Sequence, residues 1–93
     1  MRENIEVIPT KVSLNDIFGK VKECQYLVVP GSTTTVCYLT MQNGFTILGQ
    51  SSCVDPKEFN IALGEKYAYE DAIDKIWQLE GYLLAERRYQ AGL

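Results

Sequence analysis

Histidine is missing from this chain of 93 residues, and cysteine is scarce. Without histidine no Ser-His-Asp or Cys-His arrangement can form, so the commonest nucleophilic active sites are excluded. Cys24, Cys37 and Cys53 lie far apart and form no C-x-x-C pair, which argues against a structural zinc site. We expect these cysteines to act as small, reduced apolar residues. The sequence therefore predicts a protein that is not an enzyme and that holds no metal and no cofactor.

Long hydrophobic runs and an excess of positive charge are missing as well. No apolar run approaches the roughly 18 residues that span a bilayer, and Met1–Asn4 lacks the apolar stretch of a secretory signal, which predicts a cytosolic protein. Nine lysines and arginines stand against twelve acidic residues, giving a net charge of −3. This balance argues against binding to a nucleic-acid polymer, which draws on many phosphate contacts. A small anionic ligand needs only a local cluster of donors and stays possible.

Hydrophobic residues make up 46% of the chain, which is enough for a packed core. At this length we expect residues 1–93 to form one domain. The pattern predicts an α+β fold, in which a small antiparallel sheet packs against a short helix and a long C-terminal helix. The predicted elements are a helix over 14–21, strands over 26–29, 33–42 and 45–53, a helical turn after residue 55 and a helix over 65–89.

Cap residues support the predicted helix starts. Ser13-Leu14-Asn15-Asp16 resembles a capping box. Asp55 is the expected N-cap of the short turn, with Pro56 at its first position and Glu58 at its third. Gly64 is expected to interrupt the helical pattern before the long helix begins.

The dipeptide Asn43-Gly44 predicts a hairpin with a two-residue turn. That turn would pair Gln42 with Phe45 and Leu39 with Leu48. Both faces of the sheet would then be partly apolar, and one helical layer can cover only one of them. We therefore expect the second face to meet another subunit.

The long helix carries an apolar stripe that is wider than a single sheet contact requires. Gly81 in its middle costs about 1 kcal/mol relative to alanine, which indicates the close approach of another backbone. The stripe comprises Ala68, Ala72, Ile76, Leu79 and Leu83, widened by Tyr69, Ile73, Trp77 and Leu84.

Three basic residues are candidates for ligand binding. Arg87 and Arg88 lie in the last turns of the long helix, where cations also complement the helix dipole. A guanidinium group offers a fork for phosphate and a plane that stacks on a base. Lys57 could add charge near the start of the short helix, although an isolated lysine is commonly a surface residue.

Hydroxyl and aromatic residues complete the set of candidates. Thr33 and Thr34 open a β-prone run, and their hydroxyls could also bond phosphate oxygens. Tyr67, Phe45 and Phe59 are candidates for stacking on a base, although core packing is the more common role for each of them.

Acidic residues cluster on the long helix at Glu70, Asp71 and Asp74. A solvated polar face is the ordinary interpretation, and an acid–base pair or a metal site is the alternative. Asp71 could also accept a hydrogen bond from the exocyclic amine of an adenine.

Four segments in fixed order carry a resemblance to a known family. They are NGFT at 43–46, CVDP with FN between 53 and 60, AYEDA at 68–72 and LEGYLL at 79–84. Together they resemble a family of small phage proteins that includes the Thoeris anti-defence 1 sponge. The likeness covers residues 35–88, and the first thirty residues lie outside it.

The resemblance implies a phage-encoded protein of the host-cell cytoplasm, assembled as a dimer or a larger oligomer up to a hexamer. It further implies a non-enzymatic sponge that sequesters glyco-cyclic ADP-ribose and, in some members, cyclic di- or trinucleotides. On this basis Arg88 is expected to stack on the base or grip the pyrophosphate, with Arg87 as its substitute. Asp71 would lie near the base, and Lys57 with Thr33 and Thr34 would belong to a second site.

Two other functions remain open at this point. A small acidic phage protein with an apolar sheet face could inhibit a host enzyme by direct protein–protein contact. It could also be a structural or regulatory oligomer that binds no ligand.

Overall fold

The computed structural model describes residues 8–93 of the chain. A three-stranded antiparallel sheet in the order β1-β2-β3 packs against a short helix and a long one, which confirms the α+β prediction. No helix in this described part has the length and hydropathy needed to cross a membrane. The elements are α1 Leu14–Lys20, β1 Val21–Val28, β2 Thr34–Met41, β3 Thr46–Ser52, a 3₁₀ turn Pro56–Glu58 and α2 Ile61–Gln90.

The predicted caps are present. The Ser13 side chain accepts a hydrogen bond from the Asp16 N–H, and the Asp16 carboxylate accepts one from the Ser13 N–H. Asp55 caps the 3₁₀ turn by accepting from the Lys57 N–H, with Pro56 in the first turn. These cap bonds, reciprocal at Ser13 and Asp16, satisfy backbone donors that have no partner within the helix.

β1 begins five residues before its predicted start at residue 26. The strand carries Lys22, Glu23 and Gln25, and the six residues from Lys22 to Leu27 are all exposed. An edge strand with two solvated faces has no apolar alternation for sequence analysis to detect.

The hairpin prediction is wrong in its register by one residue. The Met41 N–H donates to the Phe45 carbonyl over 2.8 Å, and the Gly44 N–H donates to the Met41 carbonyl over 2.9 Å. The loop therefore holds three residues, Gln42 to Gly44, rather than two. Gly44 takes a φ of 90°, which is the left-handed conformation that such a loop needs at its last residue.

This register changes which side chains reach the core. Leu39 lies opposite Ile47 instead of Leu48. Ile47 is consequently buried beneath α2, while Leu48 is 53% exposed on the open face of the sheet. Phe45 also moves to the face that α2 covers, because side chains alternate along a strand.

α2 runs through Gly64 without interruption, so the predicted break at that residue is wrong. Asn60 caps the helix by accepting from the Leu63 N–H over 3.0 Å. A Cβ on Gly64 would overlap the Thr35 hydroxyl of β2, and a Cβ on Gly49 would overlap the Ala68 carbonyl of α2. These glycines permit close contact between helix and sheet rather than ending an element.

The core ends halfway along α2. The thirty residues of α2 span about 45 Å, whereas an eight-residue strand spans about 26 Å. Leu79 and Leu83, predicted as part of the buried stripe, are 45% and 54% exposed. No atom lies within 4 Å of the position that a Cβ on Gly81 would take, so the close backbone expected there is not found in the described chain. The buried apolar residues are Ile17, Cys37, Leu39, Met41, Ile47, Ala68, Ala72, Ile73 and Ile76.

Candidate functional site

A groove of about 500 Å³ lies between the tip of the β2–β3 hairpin and the exposed half of α2. Phe45 and Tyr82 are 58% and 70% exposed and form aromatic parts of its wall. We call it the hairpin groove. Its apolar lining is Met41, Phe45, Ile47, Ile76, Leu79, Tyr82 and Leu83, and its polar lining is Lys20, Gln42, Asn43 and Glu80.

A second pocket of about 400 Å³ adjoins this groove and shares Lys20, Glu80 and Leu83 with it. We call it the basic pocket. Lys20 and Glu80 form an ion pair where the two cavities meet, and this pair also ties the end of α1 to α2. The remaining lining is Pro9, Lys11, Val12, Asp16, Leu84 and Arg87.

The two cavities together form one cleft whose ends differ in chemistry. The hairpin end is apolar and aromatic, while the basic pocket adds Lys11 and Arg87 to Lys20. Asp16 is engaged in the capping box of α1, and Glu80 is engaged with Lys20. An aromatic wall beside a pocket lined by Lys11 and Arg87 can hold a ligand that has both a ring and an anionic group.

The two candidate arginines face different cavities. Arg87 lines the basic pocket. Arg88 lines a separate shallow pocket with Gly81 and Tyr89, and its Nη1 donates to the Pro9 carbonyl over 3.1 Å. Arg88 itself does not line the cleft. It bonds to Pro9, which lines the basic pocket, and so holds one wall of the cleft in place.

Three other candidates meet at the opposite end of the sheet. Thr33, Phe59 and Tyr67 line a pocket of about 160 Å³ together with Asn60 and Cys53. The Thr33 hydroxyl donates to the Cys53 carbonyl, which fixes the end of the strand. We call this cavity the small pocket.

Thr34 and Lys57 lie near the small pocket but outside its lining. The Thr34 hydroxyl shares a hydrogen bond of 2.8 Å with the Ser52 hydroxyl across the two strands. Lys57 is exposed on the 3₁₀ turn. Neither side chain is brought together with an arginine.

Asp71 closes the outer edge of β3. Its Oδ2 accepts from the Gln50 N–H over 2.9 Å and lies 3.6 Å from the Lys75 ammonium. Lys75 in turn donates to the Leu48 carbonyl over 2.7 Å. These contacts occupy the Asp71 carboxylate and give it a structural role at the sheet edge.

The three predicted acidic residues lie on different faces of α2. Glu70 and Asp74 line a groove beside α1, whereas Asp71 faces β3. Within residues 8–93 no group of three acidic or cysteine side chains is placed to hold a metal ion. Burial, followed by the hydrogen bond with Cys24, raises the pKa of the Cys37 thiol to about 12, so this cysteine stays protonated.

Five of the candidate residues therefore form two groups that one small ligand cannot bridge within a single chain, and the other four lie outside both groups. Tyr67 and Arg88 are separated by 21 residues of continuous helix, or about 31 Å. Phe45 and Arg87 belong to the cleft, while Thr33, Phe59 and Tyr67 belong to the small pocket.

Sequence analysis missed several cleft residues. Lys20 is the last residue of a short helix, and Lys11 lies in an irregular segment, so neither carries a motif. Tyr82 lies on α2 outside the apolar stripe predicted from the sequence. Tyr82 follows Leu79 by three residues, a spacing that puts both side chains on one face of the helix. The sequence does not show that this face is exposed, because that depends on the core ending at Ile76.

Comparison with known protein families gives a match over most of the chain. A family model described as the Phage protein (N4 Gp49/phage Sf6 gene 66) family matches residues 7–88. No curated protein and no solved structure matches the chain. The first thirty residues were expected to lie outside the family. The match includes residues 7–30, so that expectation is wrong for them.

Proposed function

The chain belongs to the N4 Gp49/phage Sf6 gene 66 family of phage proteins, and we propose that it binds host cyclic nucleotide signals and sequesters them without degrading them. The ligand we propose is a cyclic ADP-ribose isomer such as glyco-cyclic ADP-ribose. The observation that carries the proposal is the cleft, in which the aromatic wall of the hairpin groove continues into the basic pocket.

The dimensions of the cleft support a ligand of this size. Its larger part, about 500 Å³, falls within the range of about 300–1,000 Å³ that is usual for small-molecule sites. The α2 residues from Leu79 to Arg87 extend along it for about 12 Å. This length accommodates a ring at the hairpin end and a pyrophosphate at the basic end.

The chemistry of the lining supports the same orientation. Phe45 and Tyr82 present exposed rings on which an adenine can stack. Gln42 and Asn43 offer amide groups to the edge of a base. Lys11 and Arg87 supply charge-assisted donors for phosphate oxygens, while Lys20 is held in its ion pair with Glu80.

Arg88 has a positioning role in this proposal. Its bond to the Pro9 carbonyl holds the segment that lines the basic pocket. Removal of the guanidinium would loosen that wall and weaken ligand binding without removing a direct contact.

Sequestration without degradation is proposed because the cleft offers little acid–base chemistry. The chain has no histidine, and the two cleft carboxylates are engaged by Lys20 and by the α1 cap. The small pocket is a candidate second site for cyclic di- or trinucleotides. With about 160 Å³ it has room for only part of such a ligand.

Isothermal titration of the purified protein with glyco-cyclic ADP-ribose tests the proposal, with a panel of cyclic di- and trinucleotides in parallel. We expect submicromolar, stoichiometric binding that falls at least tenfold in Arg87→Ala, and a smaller loss in Arg88→Ala. Lys66→Ala is the matched control, because Lys66 lies over the Tyr67 ring, far from the cleft.

The ligand is then recovered by denaturing the complex and is analysed by mass spectrometry. Recovery of intact ligand supports sequestration, and recovery of hydrolysed ligand contradicts it. Absence of binding to every nucleotide contradicts the proposal as a whole.

Direct inhibition of a host enzyme is the alternative, and the open face of the sheet favours it. Leu27, Tyr38 and Leu48 are 60%, 40% and 53% exposed on the side that α2 leaves uncovered. A host enzyme that co-purifies at fixed stoichiometry and loses activity, with no nucleotide bound, would establish this alternative.

A further inference from the structure

Two of the three cysteines meet in the folded chain. Cys24 of β1 and Cys37 of β2 are 13 residues apart in sequence, yet their sulfur atoms are 3.8 Å apart. Cys24 lies directly opposite Leu39, which follows Cys37 by two residues on β2. Side chains two residues apart on a strand share a face, so both thiols point to the side of the sheet that the helices cover. The register of the two strands therefore creates a pair of thiols that no sequence motif indicates.

The two thiols differ in their access to solvent. Cys24 is exposed on the edge strand, while Cys37 is 0% exposed within the core. A dissolved reagent therefore reaches the Cys24 sulfur first, and the Cys37 sulfur can react only with what Cys24 already carries. An exposed attacking thiol next to a second, resolving thiol is the arrangement that gives a reversible oxidation site.

Cys53 lies too far away to take the place of Cys24. The Cys53 N–H donates to the Thr33 carbonyl over 3.2 Å, and Thr33 precedes Cys37 by four residues. Four residues of extended chain span about 13 Å, whereas the Cα atoms of a disulfide lie within about 7 Å of each other. Within one folded chain, Cys24 is therefore the cysteine that can bond to Cys37.

Bond formation requires the two sulfur atoms to close from 3.8 Å to about 2.05 Å. Cys24 and Cys37 are diagonal neighbours, which start farther apart than directly opposite residues, so β1 has to shift relative to β2. β1 is an edge strand that pairs with β2 alone among the described strands. Its pairing is already irregular between Val21 and Glu23, immediately before Cys24. A strand bonded on one side and interrupted at this point can make the adjustment.

We propose that Cys24 and Cys37 form an oxidation site, at which a hydroperoxide converts the two thiols into a disulfide within one chain. The disulfide would join the edge strand covalently to the central strand of the sheet. This inference does not depend on nucleotide binding, because neither cysteine lines the cleft.

The oxidation has two steps. The Cys24 thiolate attacks one oxygen of hydrogen peroxide, the O–O bond breaks, and Cys24 becomes a sulfenic acid as hydroxide leaves and is protonated to water. The Cys37 sulfur then attacks the Cys24 sulfur, the S–O bond breaks, and the hydroxyl group leaves as water with the Cys37 proton. That proton is present at neutral pH because burial raises the pKa of Cys37 to about 12. Two thiols and one peroxide thus give one disulfide and two waters, and the two electrons lost by sulfur reduce the peroxide.

Treatment of the folded full chain with hydrogen peroxide tests the proposal in two variants that each keep two of the three thiols. Cys53→Ser keeps the proposed pair, whereas Cys24→Ser keeps Cys37 and the distant Cys53. We expect Cys53→Ser to lose both thiols, counted with Ellman's reagent after denaturation, and its single-chain mass to fall by about 2 Da. Dithiothreitol should restore both thiols. Cys24→Ser is the matched control and should retain the Cys37 thiol.

A second comparison separates the two chemical steps. Cys37→Ala is added to the Cys53→Ser variant, so that Cys24 is the remaining cysteine. Its sulfenic acid then has no resolving thiol and should be labelled by dimedone. With Cys37 present, the second step removes the sulfenic acid, and labelling should fall about tenfold.

Three results would overturn the proposal. The first is a Cys37 thiol that survives in Cys53→Ser, whether Cys24 is unreacted or carries oxygen alone. The second is a disulfide found only at the mass of two chains, since the bond would then join copies rather than strands. The third is equal loss of the Cys37 thiol in Cys24→Ser, because Cys37 would then react without Cys24.

Discussion

The two halves of α2 have similar apolar content but opposite surroundings. In the half from Ile61 to Ile76 the stripe lies on the sheet, and every buried residue of the helix belongs to it. In the half from Trp77 to Gln90 the large apolar side chains, apart from the partly buried Leu84, are between about one third and three quarters exposed. The first half holds the fold together, and the second half provides one wall of the cleft. A stripe of constant spacing therefore predicts helix, but not which part of that helix is covered.

The largest difference in stability between the two halves is expected when one apolar side chain in each half is truncated to alanine. Ile76→Ala removes a side chain that is 1% exposed and should lower the free energy of unfolding by about 3 kcal/mol. Leu83→Ala, at 54% exposure, should cost less than about 1 kcal/mol. Urea denaturation followed by circular dichroism measures both. Equal losses would mean that the second half is packed as tightly as the first.

Glycine-to-alanine substitution makes the same comparison with the smallest possible change. Gly49→Ala places a methyl group against the Ala68 carbonyl and the Ala72 backbone, where α2 crosses β3, and should cost about 2 kcal/mol or more. Gly81→Ala meets no atom and should stabilise the helix by about 1 kcal/mol.

Thermal unfolding of both glycine variants at equal protein concentration provides the measurement. A destabilised Gly81→Ala variant would contradict the open surroundings described for the second half. It would indicate instead that another backbone, for example that of a second copy, lies close to residue 81.

A smaller effect is expected from pH, and it reports only on the covered half. The pKa of Cys37 in the folded protein is about 12, above the ordinary value of 9.0, because the thiol is buried under α2. Folding then favours the protonated thiol. Its contribution to stability is complete below about pH 9 and is lost as the pH rises towards 12. The burial of Tyr69 raises its pKa in the same direction.

Unfolding by urea at pH 8 and at pH 10.5 measures this effect, with Cys37→Ala as the comparison. The variant should lose less stability than the unmodified protein between the two pH values. An identical loss in both would show that Cys37 does not contribute. Ellman's reagent should also react slowly with Cys37 and faster with the exposed Cys24.

The fold was largely predictable because its signals are local. The Ser13–Asp16 capping box and the Asp55-Pro56 start of the 3₁₀ turn depend on residues three or fewer apart, and both predictions are confirmed. The hairpin failed by one residue because Asn-Gly suits a two-residue turn as well as a three-residue loop that ends in a left-handed glycine. Local sequence does not choose between them. Burial of Ile47 beneath α2 does.

The cleft was predictable only in part because it depends on where the sheet ends. Phe45 and Arg87 were identified by their chemistry, but their place in one cleft follows from the hairpin register and from the length of α2 beyond the sheet. Gly64 shows the same limit. In the sequence Gly64 resembles a helix breaker. In the structure it lets α2 approach Thr35 of β2, and sequence alone does not show that these two residues meet.

The central claim is that the ligand binds along the uncovered half of α2, and two aromatic residues at opposite ends of the sheet test it most directly. Glyco-cyclic ADP-ribose is titrated calorimetrically into Phe45→Ala, from the hairpin groove, and into Tyr67→Ala, from the small pocket. Both side chains are at least half exposed, so both variants should fold. We expect Phe45→Ala to lose at least tenfold in affinity while Tyr67→Ala binds as the unmodified protein does. The reverse result, with binding lost in Tyr67→Ala and kept in Phe45→Ala, would contradict the claim.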